Sequence, residues 1–139
     1  MSHSKTVGAV AIAAVGEILG LDVENVRPIE PEVAESHFSK AELSDLATLS
    51  GDEWLEGFYR CWTRKEAILK AEGVGLGIPL DAFDVTLLPG QPAELLGFRP
   101  ESKLQRRWVL ENLPPAPRVA GALALTRSPT EIECFQLAI

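Results

Sequence analysis

The stretch between Ser50 and Gly73 constrains this chain more than any other. Trp54, Leu55, Phe58, Trp62, Ile68 and Leu69 recur there at spacings of three and four, the period of one buried helix face. Ser50 stands at the helix start with Glu53 three residues on, a capping-box pattern, and Gly73 supplies the left-handed residue that ends many helices. A helix reaching to about Glu72 therefore needs other elements to cover its apolar side.

The flanking sequence supplies strands for that purpose. Residues 6–15 are small or β-branched, Gly16 and Glu17 interrupt them, and the pattern resumes over 18–26, which predicts two strands joined by a tight turn. Pro28 and Pro31 end the second strand. One helical turn is expected over 31–37, and a helix over 39–49 with Leu43, Leu46 and Leu49 on one face. After Gly73, short strands are expected at 82–88, 94–98, 107–113, 119–126 and 131–137, separated by Pro89-Gly90, Pro114-Pro115 and Ser128-Pro129. Strands, then helices, then strands is an α+β order, with a mostly antiparallel sheet packed on the long helix.

Length and composition set the outer limits. A chain of 139 residues, 46% apolar and 24% charged, with mean hydropathy +0.08, is expected to fold as one domain over residues 1–139. Its net charge of −7 and pI near 4.8 have the wrong sign for a protein that neutralises phosphate backbone, so no nucleic-acid partner is expected. The longest apolar run, 7–15, is shorter than the ~20 residues that cross a bilayer, so no membrane span and a cytoplasmic location are expected. Cys61 and Cys134 fall in patterns of buried helix and buried strand, which favours free thiols.

Several side chains carry chemistry. Asp22 and Glu24 alternate along a strand and project from one face, where they suit a hard cation such as Mg²⁺ or an ordinary solvated face. On the long helix Trp62, Glu66 and Lys70 form an i, i+4, i+8 stripe, and Glu66 and Lys70 also fit surface ion-pair decoration. Arg60, Arg64, Lys65 and Lys70 concentrate cations in an acidic chain, which suggests a local anion partner or a solvated basic face. Gly73, Gly75 and Gly77 follow a helix rather than opening one, so they read as a terminating turn rather than a dinucleotide loop. Glu42, three residues after Ser39, fits a capping box, and two histidines, His3 and His37, are too few for zinc-site spacing.

Taken together, these motifs resemble the 4'-phosphopantetheinyl transferase superfamily. Residues 62–76 fill every fixed position of its W-[ST]-x-K-E-[AS]-x-x-K-x-x-G-x-G-L signature. Gly20, Asp22 and Glu24 match its G-[IV]-D-[IV]-E strand, and the run from His37 to Glu42 is similar to its F-F-S-x-x-E helix start. Ser2, His3 and Ser4 match the S-H-S before the first strand of the catalytic lobe. The resemblance covers residues 2–85 in the family's order.

The resemblance implies Mg²⁺-dependent transfer of 4'-phosphopantetheine from coenzyme A to a serine of an apo acyl or peptidyl carrier protein, releasing 3',5'-ADP. It implies Asp22, Glu24 and Glu66 as metal ligands and Glu66 as the base for the serine proton. Lys70 would stabilise the leaving phosphate, and His3, Lys65 and Lys70 would contact coenzyme A. Relatives with this long signature are usually two lobes in tandem, and this chain resembles the second. A lone lobe implies a homo-oligomer, dimer or trimer, since the one-lobed relatives build their sites between subunits. The alternatives are a piece of a longer chain and a non-catalytic module that binds coenzyme A or a carrier protein.

Overall fold

The computed structural model describes residues 1–5, 7–13, 16–73, 77–113, 116–129 and 131–135. Strands β1 (Ser2–Ser4), β2 (Val7–Ala9) and β3 (Leu19–Asn25) come first. Helices α1 (Pro31–His37), α2 (Lys40–Leu46) and α3 (Gly51–Glu72) follow, and strands β4 (Phe83–Val85), β5 (Leu95–Phe98), β6 (Val109–Asn112) and β7 (Val119–Leu125) complete the chain. The α+β class and antiparallel pairing agree with the sequence. The strands form three small sheets, β1-β2, β3-β7-β6 and β4-β5, rather than one continuous sheet.

Helix α3 is the centre of the packing, and it ends where expected. Gly73 takes φ +86°, and its N–H reaches the Leu69 and Lys70 carbonyls that the last turn would otherwise leave unpaired. Phe58, Cys61, Ala67, Ile68 and Ala71 are buried against the sheets. Each fully buried large side chain among them contributes roughly 1.5–3 kcal/mol. At the other end the Ser50 side chain makes no capping hydrogen bond, so the expected capping box with Glu53 is absent. The box does form one helix earlier: Ser39 Oγ accepts from the Glu42 N–H while Glu42 Oε1 accepts from the Ser39 N–H. Helix α2 is shorter than expected and stops at Leu46, because Thr48 turns back to hydrogen-bond the Asp45 carbonyl through its hydroxyl and its N–H.

Strand β3 pairs with β7 along its whole length, Asp22 opposite Ala122 and Glu24 opposite Ala120. Its two faces have different fates. Leu21 and Val23 join Leu123 in a small cluster covered by Val7, Ala9 and Ala11. Ala122 and Ala124 belong to the main core around α3. At Gly20 a β-carbon would meet the Ala67 carbonyl oxygen at 2.0 Å and the Ala71 nitrogen at 2.4 Å, both backbone atoms that cannot swing aside. Only glycine lets β3 lie this close to α3.

Three strand expectations are corrected. Over 6–15 only Val7–Ala9 is strand among the described residues, and it pairs with β1 rather than with β3; Thr6, Ala14 and Val15 lie outside the described residues. Serine hydroxyls of β1 occupy the free edge of β3: Ser2 Oγ accepts from the Val23 N–H and Ser4 Oγ from the Asn25 N–H. The expected strand at 82–88 is confined to Phe83–Val85, after a 3₁₀ turn over Leu80–Ala82. Residues 131–135 form no strand, and 136–137 lie outside the described residues, as do Val74, Gly75 and Leu76 of the glycine turn.

Cys61 is fully buried, whereas Cys134 is exposed rather than in the buried strand expected of it, and both are free thiols. Burial pushes the Cys61 thiol well above its ordinary pKa. We expect a thiol reagent to modify one cysteine in the native state and the second only after denaturation. Rapid native modification of both would contradict the placement of Cys61.

Candidate active site

The close approach at Gly20 brings β3 side chains onto the open flank of α3. Two residues along the strand, Asp22 points to that same flank, and its Oδ1 accepts from Lys70 Nζ at 2.8 Å. Glu66 lies one turn before Lys70 and is half-buried, and Trp62, a further turn back, stacks on Phe58 and meets the His37 ring edge-on. The stripe of Trp62, Glu66 and Lys70 is therefore the side of α3 left partly open, and Asp22 and Glu24 adjoin it.

The electrostatics mark the site as under tension. Burial pushes the Asp22 carboxyl up to about 6, against the pull of Lys70 and with the help of the negative charges of Glu24 and Glu66. Burial also raises Glu66, Lys70 lowers it, and Glu24 raises it again. These three carboxylates thus feel one another, and such a cluster has a standing electrostatic reason to take up a cation. Among the described residues no three metal-ligating side chains converge closely enough to hold an ion as they stand. Asp22 Oδ2, however, is buried and has no hydrogen-bond partner. An orphaned carboxylate oxygen beside two more carboxylates is a donor set that fits a hard, oxygen-seeking cation such as Mg²⁺.

Two residues expected in the ligand sphere lie elsewhere or face outward. Lys65 does not reach solvent: its ammonium is wholly buried, paired with Glu42 Oε1 at 2.9 Å. It donates to the Phe83 carbonyl at 2.5 Å and to the Leu80 carbonyl. With all three donors used inside the protein it has none to offer a phosphate, which corrects its expected role. His3 is exposed on β1, on the side opposite the Ser2 and Ser4 hydroxyls that hold the strand.

The expected basic face is corrected on the same grounds. Arg64 is buried, donating to the Thr86 carbonyl and hydroxyl and to Asn112 Oδ1, and burial lowers its pKa to about 10. Arg60 donates through Nε to the Leu87 carbonyl. Of the four cations on α3, Lys70 alone is exposed.

Sequence reasoning missed two contributors. Glu42 does more than cap α2: Oε1 also takes Lys65, and Oε2 accepts from the Val85 N–H, so one carboxylate ties α2, α3 and β4. Ser2 is more than part of the S-H-S motif, since its hydroxyl oxygen accepts from Lys70 Nζ at 3.2 Å. An open groove of about 400 Å³ is lined by Ser36, His37, Leu69 and the segment from Ile78 to Asp81, and none of Asp22, Glu24, Glu66 or Lys70 lines it.

Residues 18–124 match the family model described as the 4'-phosphopantetheinyl transferase superfamily. The chain belongs to this superfamily. It is 46% identical over 69 residues to the 4'-phosphopantetheinyl transferase Sfp of Bacillus subtilis, a match covering 50% of this chain and 31% of Sfp. It is 31% identical over 127 residues to the 4'-phosphopantetheinyl transferase HetI of a Nostoc species, covering 90% of this chain and 50% of HetI. The chain thus spans between about a third and a half of these relatives' length. In fold it is similar to the holo-[acyl-carrier-protein] synthase of Thermotoga maritima, with TM-score 0.60, 21% identity, and coverage of 81% of this chain and 64% of that one. The apo-ACPS of Chronobacterium ammoiniagenes gives TM-score 0.59 at 18% identity, covering 79% and 95%.

The buried Glu42–Lys65 pair makes a stability prediction for this superfamily member. Lys65→Met leaves Glu42 buried without its counter-charge and is expected to cost about 3–5 kcal/mol. Adding Glu42→Gln removes the orphaned charge and should recover part of that loss in urea denaturation. Losses that simply add in the double variant would show that the pair is not coupled.

Proposed function

We propose that this chain, as one lobe over residues 1–139, transfers 4'-phosphopantetheine from coenzyme A to a serine of an apo acyl or peptidyl carrier protein, releasing 3',5'-ADP. The observation that carries the reading is the meeting of Asp22, its buried Oδ2 unpartnered, with Lys70 and Glu66 on the open flank of α3 in a member of the transferase superfamily.

The chemistry has two obstacles, a weakly nucleophilic hydroxyl and the charge of a diphosphate. In our reading Asp22, Glu24 and Glu66 would hold Mg²⁺, which when bound supplies charge neutralisation at the diphosphate. In the same reading Glu66, half-buried one helical turn before Lys70, takes the serine proton. As the serine oxygen bonds to phosphorus, the bond to the departing 3',5'-ADP breaks, and Lys70 stabilises the negative oxygen that leaves. Lys70 has a side chain 40% exposed, so it can approach a ligand without abandoning a buried position. In this reading His3, exposed on the face of β1 opposite the Ser2 and Ser4 hydroxyls, would have to turn toward the site to contact the coenzyme phosphates.

A homo-oligomer, dimer or trimer, belongs to the same proposal. Val10 and Ile12, 67% and 92% exposed after β2, form an apolar surface that a second copy would cover. Among the described residues no helix is long and apolar enough to cross a membrane, and a cytoplasmic setting is the one we carry forward.

The test is intact-mass analysis of several apo carriers incubated with the chain, coenzyme A and Mg²⁺. The expected result is a phosphopantetheine mass gain that needs Mg²⁺ and falls at least tenfold in Lys70→Ala, with that variant shown by thermal unfolding to be folded at the assay temperature. Coenzyme A binding with no mass gain on any carrier would instead favour a non-catalytic binding module.

A further inference from the structure

Ser2 sits where three parts of the site meet, and it is buried. Its hydroxyl oxygen accepts from the Val23 N–H at 3.1 Å and from Lys70 Nζ at 3.2 Å. A hydroxyl has two lone pairs and one proton, so with both lone pairs engaged its proton is left to donate. The acceptor within reach is Asp22 Oδ1, at a long 3.4 Å. The same Oδ1 already takes Lys70 Nζ at 2.8 Å. One carboxylate oxygen is thus held by two donors while the other, Oδ2, is buried with none.

We propose that Ser2 is a positioning residue: its hydroxyl fixes Oδ1 of Asp22 and the ammonium of Lys70 together, so that Oδ2 is the oxygen presented to a divalent cation. The inference rests on the proposed function for its catalytic consequence. Anchorage to the Val23 N–H makes the arrangement rigid, because the hydroxyl is tied to the backbone of the same strand that carries Asp22. Without that hydroxyl the carboxylate can rotate about its terminal bond and offer either oxygen to Lys70, which then competes with the cation for both. Ser4 makes the analogous backbone bond to Asn25. Ser4 therefore provides the contrast, a serine on the same strand edge whose hydroxyl is not part of the Asp22–Lys70 arrangement.

The test uses Mn²⁺ as an oxygen-seeking probe, titrated by electron paramagnetic resonance, alongside transfer kinetics. Ser2→Ala is expected to weaken Mn²⁺ binding about tenfold and to lower kcat by a similar factor with KM for the carrier unchanged. Ser2→Thr, which keeps the hydroxyl, should restore both, and Ser4→Ala should leave Mn²⁺ affinity within about twofold of wild type. Folded Ser2→Ala with wild-type Mn²⁺ affinity, no Mn²⁺ binding by the wild type, or Ser2→Thr behaving like Ser2→Ala would each overturn the proposal. Should Ser2→Ala fail to fold, Ser2→Cys replaces it: weakened Mn²⁺ binding supports the proposal and unchanged binding overturns it. A wild type that binds Mn²⁺ in a Ser2-dependent way but never transfers would remove the proposed function and leave this inference standing.

Discussion

At Gly20 the third strand runs against the long helix more closely than any residue with a side chain allows, and the site depends on that approach. The contact is made by backbone atoms of Ala67 and Ala71. Small residues recur around it, with Ala122 and Ala124 of β7 in the same core. This seam lets a strand carboxylate, Asp22, pair with a helix ammonium, Lys70, across two elements far apart in sequence. A bulkier seam would hold the two charges apart, and Lys70 would be one more exposed lysine.

Charge inside the protein is divided between two tasks. On the buried side of α3, Arg64 and Lys65 each end on backbone carbonyls as well as on a side-chain acceptor, and they fasten the helix to β4 and β6 and the turns around them. Burying such groups is costly; Lys65 offsets its desolvation with three acceptors, and Arg64 offsets its own through Nη1 and Nη2 while its Nε stays buried without a partner. On the open side Asp22, Glu24 and Glu66 repel one another, and Asp22 keeps one oxygen unpartnered. Arg64 and Lys65 face opposite partial charges and hold the fold together, whereas the Asp22 cluster sets like charges near one another and so retains a capacity to bind a cation.

Much of this was legible in the sequence because it is local. The 3.6-residue period and Gly73 gave the limits of α3, alternation put Asp22 and Glu24 on one strand face, and i, i+4 spacing aligned Glu66 with Lys70. What failed to show was non-local. Nothing in a run of charged residues says that Lys65 turns inward to Glu42 while Lys70, five residues on, stays exposed; the direction follows from which elements cover which side of the helix. Residues 7–13 mix β-branched Val7, Val10 and Ile12 with glycine and alanine, which favour strands weakly, and only Val7–Ala9 finds a partner, the edge of β3 being occupied by the Ser2 and Ser4 hydroxyls. The strand expected over 131–137 is likewise absent over its described part, 131–135, where no residue joins a ladder.

The most direct test of this account is Gly20→Ala, followed by transfer measured as carrier mass gain and by thermal unfolding. The added methyl must push β3 off α3, so the account predicts a folded but less stable protein in which transfer slows by about a hundredfold, the size of effect expected from an ångström of misplacement. Wild-type stability and wild-type transfer in Gly20→Ala would contradict it, because the seam would then not be what brings Asp22 to Lys70.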